Sequence, residues 1–170
     1  MEYWTTVDGE GLMKVLLHIR QKIGPENAVF LCIGTDRSTG DALGPLVGTG
    51  LVKAGFDRVI GTLELPCDAN TLPSLVTEML RSATEQDKII AIDAALGKRE
   101  SIGKFQVTTG PLLPGASIGK HLPPVGDFGI AGIVNESGAR KYAILQNTPL
   151  SRVMAMSDAI VRATAHAFRA

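Results

Sequence analysis

The residues with the most chemistry per unit length are Asp36, Ser38, Thr39 and Asp41, all inside the glycine-punctuated turn GTDRSTGDALGP at 34–45. A turn that only redirects the chain does not need two carboxylates and two hydroxyls together, although Ser, Thr and Asp also serve as helix N-caps. A third carboxylate, Asp93, follows the apolar run Ile89-Ile90-Ala91-Ile92. Removal from water raises the pKa of such a group unless it is paired. Asp41 stands at the start of a helix, where free N–H groups and the helix dipole favour a charged carboxylate. Two carboxylates held in different protonation states can divide acid and base duties. They can equally hold a divalent cation through oxygen ligands. Asp41 and Asp93 are therefore the candidate catalytic residues. Asp36, Ser38, Thr39 and Glu64 are candidate substrate contacts. Each competes with a plainer role as a cap or a turn-shaping side chain.

The elements around these residues explain why they should meet. Residues 27–33 form a continuous apolar run that reads as a buried strand, and Leu43, Leu46, Val47, Leu51 and Ala54 recur at helical spacing. Arg58–Leu63 reads as a second strand and places Glu64 at its end. Thr71–Glu85 reads as a helix, with Pro73 in its first turn. Lys88–Ile92 is uniformly apolar after its lysine, as expected of a parallel strand buried on both faces. Strand and helix alternate, which predicts a mainly parallel doubly wound sheet whose ligands bind at the carboxyl ends of the strands. If the first and third of these strands are neighbours, Asp41 and Asp93 can approach each other.

Leu12, Val15, Leu16, Ile19 and Ile23 mark an earlier helix stopped by Gly24-Pro25, and Val153, Met156, Ile160, Ala163 and Ala167 mark a final one. Phe105–Thr108, Gly129–Val134 and Tyr142–Leu145 read as further strands. The segment from Gly110 to Gly126 is dense in Gly and Pro, which predicts a long loop bordering the acidic cleft as a cover or a docking wall.

Composition narrows the function. The chain of 170 residues suits one domain, 1–170, with 17 basic against 17 acidic residues. No basic field exists to drive nucleic-acid binding. Cys32 and Cys67 show no CxxC spacing, so they predict a reducing, cytoplasmic setting rather than a disulfide framework. No apolar run has the length of a membrane span, and the start of the chain lacks a signal-peptide layout. Neither GxGxxG nor a Walker A motif occurs.

GTDRSTGDALGPLVG, with GTLELP at 61–66, AIDAALG at 91–97 and LPPVGD through GIVN at 122–135, resembles the YyaC-type sporulation proteins. That family is similar in turn to the germination protease of spore formers and to the hydrogenase maturation endopeptidases. The resemblance implies a three-layer α/β/α, phosphorylase/hydrolase-like fold. It implies a sporulation-associated peptidase with Asp41 and Asp93 as its acidic pair, acting on a protein or peptide such as the small acid-soluble spore proteins. Two alternatives stay open: a catalytically inactive partner-binding protein, and a metal-dependent maturation endopeptidase. The maturation enzymes bind a metal through Glu, Asp and His. Asp41 and Asp93 match the first two positions, and His121 is the loop histidine available for the third, in a context that does not match the family's. No metal ligand is assigned, and a divalent metal remains the one cofactor to consider.

Overall fold

The computed structural model describes residues 4–115 and 122–169. Its elements are β1 (Trp4–Val7), α1 (Gly9–Ile23), β2 (Ala28–Cys32), α2 (Leu43–Lys53), β3 (Val59–Ile60), α3 (Leu72–Ser82), β4 (Lys88–Gly97), β5 (Phe105–Thr108), β6 (Phe128–Glu136), α4 (Lys141–Gln146) and α5 (Leu150–Arg169). The six strands form one sheet in the order β1-β5-β6-β4-β2-β3. The β6-β4-β2-β3 block is parallel, while β1 and β5 add an antiparallel edge.

Two apolar layers make this a three-layer α/β/α domain. On one face α1, α2 and α5 pack through Leu16, Val47 and Ile160 onto Phe30, Ile90 and Ile130. On the other face α3, through Leu72 and Met79, covers Val29, Leu31 and Ala91. Strand β2 is buried along its whole length, as its unbroken apolar sequence requires.

Local chemistry sets the boundaries. The Asp8 side chain accepts from Gly11 N at 2.8 Å and opens α1. Gly24, at φ 80°, closes it by donating to the Arg20 carbonyl. At the end of β2, Gly34 has φ 149°, and a side chain there would collide with the Asp41 carbonyl. Thr35 N donates to that same carbonyl at 3.1 Å, so the turn closes on itself.

Four departures from the sequence reading matter. β3 is only two residues long, because Gly61, at φ 92°, turns the chain back against β2. β4 runs five residues beyond Ile92, since β6 continues beside it after β2 has ended. Tyr142–Leu145, expected as a strand, lies in α4; of that helix only Leu145 is buried. A short apolar run does not distinguish strand from helix. β1 was not expected and is stabilised by pairing with β5.

Candidate active site

The crevice forms where the connections leave β2 and β4 in opposite directions. From β2 the chain crosses through α2 to β3 at the sheet edge; from β4 it departs toward β5 and β6. Adjacent parallel strands with diverging connections leave a gap at their carboxyl ends. The pairing β2–β4 ends at Cys32 opposite Ile92, so Asp93 is the first β4 residue past that ladder. Asp41 arrives from the other side, in a 3-10 turn at Gly40–Ala42 that leads into α2.

Asp41 and Asp93 line one cavity of about 180 Å³, together with Ser38, Arg37, Asp68 and Tyr142. Asp93 is half-buried and opens onto this cavity. Loss of water drives its pKa up to about 8, and the Asp41 charge pushes the same way. The Ala94 N–H, donating to Asp93 Oδ1 at 2.8 Å, and the Gly115 N–H oppose the rise without cancelling it. The plain alternative of a helix cap fails for Asp93, because it sits inside a strand. Neither the 3-10 turn nor α2 carries a side-chain cap at its N-cap position.

Ser38 is only 4% exposed, and its Oγ has no hydrogen-bond partner among the described residues. A buried hydroxyl left unpaired is costly, so its place in the cavity wall suits it to a ligand. The other sequence candidates lie apart from the cavity wall. Asp36 is exposed, and Thr39 is half-buried with its carbonyl accepting from Ala42 N at 3.2 Å. Glu64 does not end a strand: β3 stops at Ile60, and the Gly61 turn leaves Glu64 on an exposed loop.

Asp68, Arg37 and Tyr142 were not singled out by sequence. Asp68 is delivered by an isolated parallel bridge between Ile33 and Cys67, with Gly34 N donating to the Cys67 carbonyl at 2.9 Å. Its Oδ1 accepts from Asn70 N at 2.9 Å and Thr71 N at 3.0 Å, so one oxygen organises the start of α3. The sequence signal was present, as Asp-x-x-Thr before an apolar helix, but it marks a cap rather than a cleft. Tyr142, 57% exposed, reaches the rim because α4 is a helix.

The Gly/Pro-rich segment, expected to border the cleft, lines the cavity through Gly115 and Leu122, and its residues 116–121 lie outside the described residues. Its base is tied by a bridge in which Leu112 and Val125 exchange backbone hydrogen bonds of 2.8 and 3.0 Å. Cys67 is fully buried, and burial with the nearby Asp68 and Asp93 charges pushes its thiol up to about 12. Cys32 is raised still further by burial. Neither supplies a thiolate nucleophile.

His121 lies outside the described residues. Among those described, no group of three His, Cys, Asp or Glu side chains is arranged to hold a metal ion. No described helix is long and apolar enough to cross a membrane.

Comparison with known proteins agrees with this architecture. Over 88% of its length the chain superposes on the crystal structure of a [NiFe] hydrogenase maturation protease, HycI from Thermococcus kodakarensis KOD1. The TM-score is 0.56, with 98% of that chain covered, and identity is 20%, so the likeness is one of fold. In sequence the chain is 43% identical over 151 residues to the uncharacterized protein YyaC of Bacillus subtilis (strain 168), covering 88% of this chain and 73% of YyaC. Residues 5–163 match the family described as proteins of unknown function, DUF1256. The chain, with its acidic crevice between β2 and β4, belongs to the DUF1256 family, to which the YyaC-like sequence motifs had pointed.

Proposed function

We propose that this protein is a peptidase in which Asp41 and Asp93 act as a base and an acid. The observation that carries the reading is the pairing of two carboxylates in one cleft, with Asp93 held protonated up to about pH 8. Asp41 takes a proton from water as the water oxygen bonds to the scissile carbonyl carbon. Asp93 gives its proton to the amide nitrogen as the C–N bond breaks. The cycle leaves Asp41 protonated and Asp93 ionised, and one proton transfer between them restores the start. Positioned proton transfer of this kind is worth about 10²–10⁴-fold in rate. No step is routed through a metal.

The fold of a maturation protease supports a protease-like reading. The sequence likeness to YyaC supports a role in sporulation, with small acid-soluble spore proteins as the substrates to try first. A cytoplasmic setting fits the two free, buried cysteines. The test is incubation with dormant-spore extract, read by mass spectrometry for new peptide termini. Wild type should generate termini that Asp41→Asn and Asp93→Asn do not. Equal output from all three proteins would overturn the assignment and favour an inactive partner-binding protein.

A further inference from the structure

A second cavity lies away from the acidic cleft, between α1 and the β5–β6 part of the sheet. It measures about 440 Å³, within the usual range for small-molecule sites of roughly 300–1,000 Å³. It shares no residue with the acidic cleft. Val15 and Ile19 of α1 form one wall, and Val107 and Phe128 form the facing one. Lys14, His18 and Lys22 recur every four residues and so stack on successive turns along one rim. Among the described residues, no aspartate or glutamate lines the cavity, although the chain as a whole has equal numbers of basic and acidic residues. Glu10 engages Lys14 at 2.9 Å from outside the cavity. His18 and Lys22 are both exposed.

We propose that this groove binds a small amphiphilic anion, with an apolar body against Val15, Ile19, Val107 and Phe128 and a carboxylate at Lys22 and His18. The apolar walls favour burial of each methylene of such a ligand. The cationic rim selects its charge, because a hydrogen bond to an ionised partner is stronger than a neutral one. An uncharged chain would gain the first contribution only. A cationic chain would meet the like charge of Lys22.

The inference is independent of the peptidase reading, and its test needs no catalytic assay. Methyl-labelled protein is titrated with octanoate, 1-octanol and octylammonium, following the Val15, Ile19 and Val107 methyl resonances. Octanoate should shift these resonances saturably, octanol should bind roughly tenfold more weakly, and octylammonium should leave them unmoved. Lys22→Glu, at an exposed position, should weaken octanoate by a similar roughly tenfold factor while the melting temperature holds. Equal binding of octanoate and octanol would overturn the proposal. So would octanoate affinity unchanged by Lys22→Glu, or the absence of saturable shifts at these three methyls.

Discussion

Asp87 and Asp93 stand six residues apart on the approach to β4 and along it, yet their surroundings drive them in opposite directions. Asp87 meets the Arg58 guanidinium at 2.7 Å and accepts from Thr84 N at 2.8 Å, which together hold its pKa down to about 2. Asp93 loses water and faces Asp41, and rises to about 8. The contrast separates two uses of one residue type. A carboxylate at the amino end of the strand, given donors, is a tether. A carboxylate past the end of the β2–β4 ladder, whose two backbone donors do not offset its lost water, is held protonated to higher pH.

The two groups also have opposite linkage to stability. For Asp93 the folded value lies above the ordinary 3.8. Its contribution is complete below about pH 4 and is lost as pH rises through about 8. For Asp87 the folded value lies below 3.8, so its contribution is present above about pH 4 and is lost as pH falls through about 2.

The largest effect that would break the contrast is catalytic. Asp93→Asn and Asp41→Asn should each reduce peptide hydrolysis by at least about 100-fold, while Asp87→Asn leaves the rate at a common temperature within about twofold. Cleavage kinetics on a substrate found in the spore extract measure this. A comparable loss from Asp87→Asn would end the division of roles.

A second, pH-resolved effect sharpens it. The rate should fall above about pH 8 as Asp93 loses its proton. Thermal melts should show Asp93→Asn more stable than wild type at pH 9, by about 1–3 kcal/mol or roughly 3–10 °C. Below about pH 4, where Asp93 is neutral both folded and unfolded, the two proteins should melt together, and the gap should open steadily between there and pH 8. A constant offset at every pH would mean that shape rather than charge separates them.

Asp87→Asn should melt below wild type at pH 7, with the gap closing as pH falls from about 4 toward 2. The Arg58 side chain of this pair is 39% exposed, so added salt should also narrow the gap. A gap unmoved by either pH or salt would remove the tether from the comparison.

The smallest expected effect concerns Ser38. Removing its unpartnered hydroxyl in Ser38→Ala should leave stability equal or raise it by about 1 kcal/mol. If the hydroxyl serves the substrate, KM should rise while the alkaline fall in rate stays at about pH 8. A clear drop in melting temperature would mean that Ser38 is structural.

Much of this molecule is written locally. The spacing of Leu12, Leu16 and Ile19 in α1, and of Val153, Met156 and Ile160 in α5, foretold buried helix faces, because a helix must turn its apolar positions one way. The unbroken apolar run of β2 foretold a strand covered on both sides, and the turn after it supplies part of the wall of one cavity. Asp93 was legible as a cleft candidate because it interrupts a strongly patterned strand, and Asp41 and Ser38 because they crowd the turn between a patterned strand and a patterned helix. Tertiary structure decided what pattern could not carry. Which strands are neighbours depends on crossovers, so the β2–β4 adjacency that brings Asp41 to Asp93 is a property of the sheet order. The length of β4 depends on β6 continuing beside it, and the two-residue β3 depends on Gly61 meeting β2. Asp68 and Tyr142 reach the cleft through a single bridge and a short helix, both set by contacts distant in sequence. The proton on Asp93 has the same origin: desolvation and the field of Asp41 act through space, and neither can be read from neighbours along the chain.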